Sequence, residues 1–220
     1  MSKKGERRVL NRLLFSRVLR QKNKSHKIAY IAVTTAFVVA ANMLEIKFLD
    51  NQFSFTILIA MLSGCILGAG AGFAACVLGD FIGFLLHPAY IYMPWVGLSV
   101  GTFALITGGI LEMPWGKMEK GERWVKLLLA CFVSFFICTI CINSTGFYFY
   151  NKAIGFSTAV VEYAAERFGG EGVTFFVYCA YRLIFKGQIW NSLLNYVLLL
   201  LVMPLLGRIK AFRGIFENEN

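Results

Sequence analysis

Long apolar runs alternate with short polar segments along most of the chain. Several of these runs reach the roughly 20 residues that a helix needs to cross the hydrocarbon core of a bilayer. We therefore predict an all-α integral membrane protein, folded as a six-transmembrane-helix bundle. The predicted spans are residues 28–48, 53–69, 70–87, 96–113, 127–150 and 187–207.

Basic residues flank these runs unevenly. Seventeen of the 22 Lys and Arg residues fall in 1–27, 114–126 and 208–220, on one predicted side of the membrane. Positive charge accumulates on the cytoplasmic side, so we predict a multi-pass plasma-membrane protein with both termini inside. The chain divides into a basic cytoplasmic N-terminal tail (1–27), a membrane substrate-binding domain (28–207) and a cytoplasmic C-terminal tail (208–220). Apolar residues in the N-terminal tail are compatible with an amphipathic helix on an anionic membrane surface.

The long segment 151–186, which we place on the outer side, contains one more predicted helix. Ser157 could cap this helix, and Gly169 could end it. Its amphipathic sequence fits a lid over a site and fits a surface strut equally well. Both interpretations stay open at this point.

The composition agrees with a membrane protein and excludes an ordinary soluble domain. Of the 220 residues, 58% are hydrophobic, and the mean hydropathy is +0.65. The net charge of +10 does not indicate nucleic-acid binding, because the basic residues concentrate at the ends of the apolar runs. Five of the six cysteines lie inside those runs, and Cys138-x-x-Cys141 has no nearby His or acid. We therefore expect small apolar side chains rather than a metal or redox site.

Asp80 is the single acid in the apolar stretch from Gly64 to Ser99. A carboxylate at the centre of a membrane helix costs at least about 2.5 kcal/mol, so it needs a partner or a function. Asp80 could contact a ligand, or it could pair with backbone amides or a hydroxyl near the break at His87 and Pro88. The sequence supports both alternatives.

An aromatic loop follows that break and supplies Tyr90, Tyr92 and Trp95, with Pro94 among them. Aromatic residues are common at membrane interfaces, where they act as anchors. Proline stiffens the loop, which favours a shaped pocket wall instead. Interface anchoring and ligand contact both remain open for these three aromatic side chains.

Three further polar residues lie near the predicted outer ends of the last two spans. Arg182 and Lys186 are four residues apart and would share one face of a helix. They could snorkel to lipid headgroups, or they could bind an anionic ligand, which arginine holds through two parallel hydrogen bonds. Asn143 belongs to a polar cluster that we interpret as the wall of a cavity.

Ala32, Ala36 and Ala40 recur every four residues along the first span. Residues with this spacing stack on one side of a helix. Small side chains there leave a shallow groove in which another helix can pack closely. The groove could be filled within this bundle, or it could dock a separate protein.

A catalytic centre is not evident in the sequence. It contains no Gly-x-x-x-x-Gly-Lys-Ser/Thr phosphate loop, so we expect no ATPase activity of its own. The only histidines are His26 and His87, and no Ser/His/Asp or metal-ligand set occurs. We therefore expect neither an enzyme nor a bound cofactor.

The stretch from Gly64 to Ser99 resembles a known family. It contains Gly64-x-x-x-Gly68, Asp80-x-x-Gly83 and Pro88-x-x-x-Tyr92-x-Pro94-x-x-x-Leu98-Ser99. These motifs are similar to those of the substrate-binding S components of energy-coupling factor (ECF) vitamin transporters, and the folate family is the nearest branch. The alanine ladder and the Arg182-x-x-x-Lys186 pair also resemble that family.

The resemblance implies a subunit of an ECF-type ABC transporter that captures folate or a related carboxylated vitamin. Its implied partners are a transmembrane coupling subunit, which would bind the alanine ladder, and two ATPase subunits. Asp80 would pair with a pterin ring, and Arg182 and Lys186 would bind the glutamate carboxylates. Residues 92–98 read Tyr-Met-Pro-Trp-Val-Gly-Leu, whereas the family usually has Tyr-Phe-Pro-Gly-Phe-Thr-Leu, so the vitamin itself stays open.

Two other classes of function are weighed against this one. A stand-alone ion-coupled secondary carrier would use Asp80 as its coupling site. Such carriers often contain inverted repeats with paired broken helices, whereas only one broken segment is evident here. A membrane scaffold or assembly factor would bind no small molecule at all.

Overall fold

The computed structural model describes residues 11, 14–48, 51–88, 91–113, 121–169, 172–210 and 212, without the side chains of 45–48, 51 and 52. The elements in chain order are α1 (Arg17–Arg20), α2 (Lys24–Met43), β1 (Glu45–Phe48), β2 (Asn51–Ser54), α3 (Thr56–Leu67), α4 (Ala69–Leu86), α5 (Pro94–Glu112), α6 (Glu122–Ile154), α7 (Thr158–Phe168), α8 (Phe175–Phe185) and α9 (Gln188–Arg208). Among these residues, five helices are long and apolar enough to cross a membrane, namely α2, α4, α5, α6 and α9.

The structure confirms a mainly helical membrane protein and corrects the first predicted span. That helix ends at Met43, and an antiparallel hairpin follows in which Glu45 lies opposite Ser54. The expected helix over 45–48 is therefore wrong, and so is the helical start of the second predicted span at residues 53 and 54, which belong to β2. The protein is not entirely helical. The sequence Glu-Ile-Lys-Phe alternates polar and apolar residues as a strand does, but a run this short does not distinguish the two structures.

Helix α5 lies at the centre of the bundle and packs against α3, α4 and α6. A glycine permits one of the closest approaches, because a Cβ on Gly64 of α3 would collide with the backbone of Ala104 on α5. The buried core around this contact includes Met61, Phe103 and Leu199. Small residues at the crossings let the helices pack closely, as expected where lipid leaves little hydrophobic force to hold them together.

Two helices are wound more loosely over part of their length. Helix α6 has 33 residues, and its middle section Phe135–Ser144 is π-helical. The second part of α8, Tyr181–Phe185, is also π-helical, and the amide of Lys186 donates to the carbonyl of Tyr181 at 3.0 Å. Turns of this i→i+5 type are rare overall and frequent at functional sites.

The last part of the predicted N-terminal tail packs onto the bundle. Leu19 of α1 is fully buried, with Leu67 in the same apolar cluster. The amide of Ser16 donates to the carbonyl of Leu67 at 2.8 Å, and Arg20 Nη2 pairs with Glu112 Oε2 of α5 at 2.8 Å. The apolar side of α1 therefore faces protein, not a lipid surface.

Candidate functional site

The structure sorts the predicted site residues into two groups. Asp80 and Tyr92 lie together where α4 ends and α5 begins. Trp95, Asn143 and Arg182 lie together where α5, α6 and α8 meet. The two groups differ in how fully the protein itself satisfies their polar atoms.

Two side chains hold the buried Asp80 carboxylate. Asn42 Nδ2 donates to Asp80 Oδ1 at 3.1 Å, and the Tyr92 hydroxyl hydrogen-bonds to the same carboxylate. Burial raises the pKa of Tyr92, and so does the neighbouring carboxylate, so the hydroxyl keeps the proton that it donates. Gly97 permits this approach, since a Cβ there would lie 2.7 Å from both Asp80 Oδ2 and the Tyr92 hydroxyl oxygen.

Hydrogen bonds continue from Asn42 toward the hairpin. Thr56 Oγ1 donates to Asn42 Oδ1 at 3.1 Å, and the hydroxyls of Thr56 and Ser54 bond to each other at 2.5 Å. At the end of β2, the Ser54 amide donates to Asn191 Oδ1 at 3.1 Å, and the Ser54 carbonyl accepts from Asn195 Nδ2 at 2.8 Å. The residues of this Asp80 network are Tyr92, Asp80, Asn42, Thr56, Ser54, Asn191 and Asn195.

The packing of α2 on α4 explains the Asp80-x-x-Gly83 spacing. Gly83 lies one turn from Asp80, and a Cβ on it would approach the Asn42 side chain to 3.2 Å. Asp80 therefore accepts a hydrogen bond from Asn42, and Gly83 leaves room for the Asn42 side chain. Since the chain itself supplies donors to the carboxylate, these contacts favour internal pairing over ligand contact for Asp80.

The second group forms around Gly146 of α6. The Trp95 indole packs directly on Gly146, where any Cβ would collide with the ring. Its centroid lies 5.8 Å from the ring centroids of Phe147 and of Tyr150. Trp95 Nε1 is buried and has no hydrogen-bond partner among the described residues. The ring is thus held firmly while its only polar atom stays unbonded.

Asn143 and Arg182 meet beside the same Phe147 ring. Asn143 Nδ2 donates to Ser99 Oγ at 2.9 Å, whereas its Oδ1 is buried without a partner in the part of the chain that the structure describes. Arg182 Nη1 donates to the Asn143 carbonyl at 3.0 Å, and the guanidinium carbon lies 4.2 Å from the Phe147 centroid. Within the described ranges, Arg182 makes no ion pair with a carboxylate.

We name these residues the Trp95–Asn143–Arg182 cluster. Counting only the described residues, it has a donor and an acceptor without partners and a cation without a counter-ion, beside aromatic rings. Buried polar atoms are nearly always hydrogen-bonded, so two unbonded atoms within one cluster make it a candidate ligand site. The roles of Gly146 and Phe147 were missed from sequence, although both follow the polar Asn143 cluster directly.

The remaining predicted site residues, Lys186 and Tyr90, and the predicted lid or strut helix are not among the described members of either group. Lys186 follows α8 and is exposed, and Tyr90 lies outside the described residues. Helix α7 buries Val160 and Ala164, and its Tyr163 ring lies 5.4 Å from that of Tyr181 on α8. These contacts are compatible with a lid and with a strut.

The alanine ladder faces away from the bundle. Ala32, Ala36 and Ala40 are all exposed, and Val38 and Ala41 are the residues of α2 that are buried. The groove that these alanines form is therefore not filled by the described part of this chain. No group of three or more His, Cys, Asp or Glu side chains able to hold a metal occurs among the described residues.

Comparison with known proteins adds independent findings. A family model described as the S component of an ECF-type riboflavin transporter matches residues 22–182. A crystal structure of FolT bound with folic acid resembles the chain with a TM-score of 0.55 at 20% sequence identity. The match covers 82% of this chain and 93% of that one. No curated protein matches the chain significantly in sequence. At this identity, the structural likeness shows the fold alone.

Proposed function

The chain belongs to the ECF-type riboflavin transporter S component family, and from this premise we propose that it captures a vitamin at the Trp95–Asn143–Arg182 cluster. It is a membrane transport subunit and not an enzyme. In this proposal the vitamin arrives from outside the cell across the plasma membrane. Partner subunits hydrolyse ATP and thereby drive its release inside.

The proposed architecture is a six-helix bundle with both termini in the cytoplasm. Helix α3 would be the sixth membrane helix, packed against α5 and α4, although its 12 residues extend only about 18 Å and do not cross the hydrocarbon core unaided. The excess of Lys and Arg in 1–27, 114–126 and 208–220 supports the orientation. The hairpin and the cluster would then lie toward the outer face, and Glu112 toward the inner face.

The observation that carries the proposal is the pair of buried, unbonded atoms beside Arg182. Trp95 Nε1 and Asn143 Oδ1 lack partners among the described residues, and a buried polar atom left unbonded costs about 1–3 kcal/mol. A ligand that offers an acceptor to Trp95 Nε1 and a donor to Asn143 Oδ1 would satisfy both atoms. Aromatic rings around them would stack on a flat heterocycle.

The positive charge of Arg182 favours a ligand that carries an anionic group. Within the described part of the chain, Arg182 donates one hydrogen bond, to the Asn143 carbonyl, and its other donors are available. Arginine binds carboxylates through two parallel hydrogen bonds. Lys186, exposed after α8, could add a second charge for a longer anionic ligand. Folate or a related carboxylated vitamin has both a flat ring and carboxylates, and we propose it as the substrate class.

The exposed alanine ladder supports a partner. Ala32, Ala36 and Ala40 form a groove on α2 that a helix of a transmembrane coupling subunit would fill, and two ATPase subunits would complete the transporter. Replacing Ala36 with Phe should abolish vitamin uptake by cells while leaving the affinity of the purified protein near that of the wild type. Loss of vitamin binding in this variant would instead place the groove within the bundle's own packing.

The function is tested by identifying the ligand directly. Mass spectrometry of small molecules that co-purify with the detergent-solubilised protein should detect a bound vitamin, and titration should give saturable binding of folic acid. Binding of riboflavin alone would support vitamin capture but contradict the carboxylated substrate class, because riboflavin has no carboxylate. A protein that is empty and ignores a whole vitamin panel would contradict the proposal.

The ion-coupled carrier has less support than the S-component proposal. Asn42 and Tyr92 already pair with the Asp80 carboxylate, so a coupling ion is not needed to account for its burial. Uptake by the lone protein in liposomes, without ATPase subunits, would nevertheless revive that alternative.

A further inference from the structure

The Asp80 network joins two segments that are far apart in sequence and contain none of the cluster residues. We propose that Asp80 is a positioning residue that ties the segment 91–93 to the β1–β2 hairpin through Asn42 and Thr56, so that both segments move as one unit. This inference concerns the protein without ligand, and it does not depend on the proposed substrate.

The first link fixes Tyr92 to α4. Its ring packs against Phe81 and Phe84, with centroid distances of 5.4 and 5.1 Å, and its hydroxyl reaches Asp80. Gly97 of α5 closes the other side of this contact, because no Cβ would fit there. Tyr92 is therefore held on three sides, and its position depends on where the Asp80 carboxylate lies.

The second link passes from α4 to the last turn of α2. Asn42 uses both halves of its amide, donating to Asp80 Oδ1 and accepting from Thr56 Oγ1. A shift of the Asp80 carboxylate therefore either breaks a hydrogen bond or moves the Asn42 amide. Breaking a hydrogen bond is costly in an apolar surrounding, so movement of the Asn42 amide is favoured.

The third link reaches the hairpin. Thr56 bonds to Ser54, the last residue of β2, and the backbone of Ser54 is clamped by Asn191 and Asn195 of α9. Asn195 Oδ1 also accepts from the amide of Leu58 at 2.9 Å. The end of the hairpin is thus fixed by side chains and not only by its own strand pairing.

The network is continuous, so a change at one end should be felt at the other. Energetic coupling of this kind is reciprocal: if loosening 91–93 loosens the hairpin, then loosening the hairpin must loosen 91–93 by the same free energy. This reciprocity separates a positioning network from a set of unrelated local bonds.

Hydrogen exchange of the ligand-free protein in detergent, followed by mass spectrometry, tests the inference. Tyr92→Phe keeps the ring but deletes the hydroxyl, and we expect peptides covering 45–54 to exchange about fivefold faster or more. Thr56→Val, at the other end, should accelerate exchange in peptides covering 88–94. The matched control is Tyr30→Phe, since Tyr30 contacts Phe212 and is not part of the network.

Two variants of Asp80 distinguish a positioning role of this residue from a general loss of folding stability. Asp80→Asn keeps an acceptor for Asn42 and a polar partner for Tyr92, so hairpin exchange should stay within about twofold of wild type, whereas Asp80→Ala should accelerate it. The inference is overturned if Tyr92→Phe accelerates exchange only in 88–94, or if Asp80→Asn and Asp80→Ala accelerate hairpin exchange equally.

Discussion

The Asp80 network and the Trp95–Asn143–Arg182 cluster both place polar side chains inside an apolar helix bundle, but they differ in how these side chains are bonded. In the network, the carboxylate and amide groups find partners on neighbouring elements. In the cluster, Trp95 Nε1 and Asn143 Oδ1 find none among the described residues. The first arrangement stabilises the fold, whereas the second leaves bonding capacity for another molecule.

This difference shows that an acid in a membrane helix does not by itself indicate a ligand site. Asp80 stands out most in the sequence, yet the structure surrounds it with donors from its own chain. Trp95 looks like an ordinary interfacial aromatic, yet its indole nitrogen is buried and has no partner in the described part of the chain. Burial alone does not indicate a ligand site, whereas unmet hydrogen-bonding capacity beside a cation and aromatic rings is a reason to propose one.

The largest expected effect on ligand affinity comes from replacing Arg182, the cation of the cluster. Arg182→Gln should weaken binding of an anionic vitamin by about 1.5–3 kcal/mol, because a hydrogen bond to a charged group is lost. Calorimetric titration with folic acid measures this change. Arg167→Gln, on the exposed side of α7, serves as the control and should leave the affinity unchanged. Equal affinity of Arg182→Gln and wild type would leave Arg182 as a structural or lipid-facing residue.

On the network side, Gly97→Ala should destabilise the fold. Its Cβ would come within 2.7 Å of two oxygen atoms, and overpacking of this kind costs about 1–3 kcal/mol. Thermal melting in detergent should show a drop of about 2–4 °C per kcal/mol for a chain of this size. Gly109→Ala in the same helix, where nothing lies within 4 Å, controls for helix propensity. Similar melting temperatures for both variants would refute the tight contact.

The smallest effect is expected at the indole nitrogen. Trp95→Phe keeps an aromatic ring on Gly146 but removes the unbonded donor, so vitamin binding should weaken by about 0.5–1.5 kcal/mol. Trp190→Phe, at an exposed position of α9, is the matched control. If Trp95→Phe binds as tightly as the control, the donor does not contact the ligand.

Much of this protein could be predicted from its sequence because membrane segments are long and compositionally distinct. Asp80 and Asn143 were identified as unusual polar residues in apolar runs, and Arg182 as a cation just before the last span. The predicted membership among vitamin-transporter S components is confirmed. The hairpin was missed because a run of four alternating residues is compatible with the end of a helix.

Other features of the structure could not be predicted, because they leave no pattern in the local sequence. The role of Asn42 depends on α2 and α4 crossing at Gly83, and a contact between distant residues cannot be inferred from either segment alone. The π-helical sections that carry Asn143 and Arg182 depart from the 3.6-residue period on which helix prediction rests. The burial of Leu19 likewise depends on a tertiary contact that overrides the apparent amphipathic pattern.

The measurement that tests the account most directly is a titration of two variants with the vitamin that the wild-type protein binds, using folic acid and riboflavin as the probes. The account predicts that Asn143→Ala weakens binding about tenfold or more, which is about 1.4 kcal/mol, while Asp80→Asn stays within about threefold of wild type. The opposite pattern, with Asp80→Asn losing the ligand and Asn143→Ala retaining it, would contradict the assignment of the cluster as site and the network as scaffold.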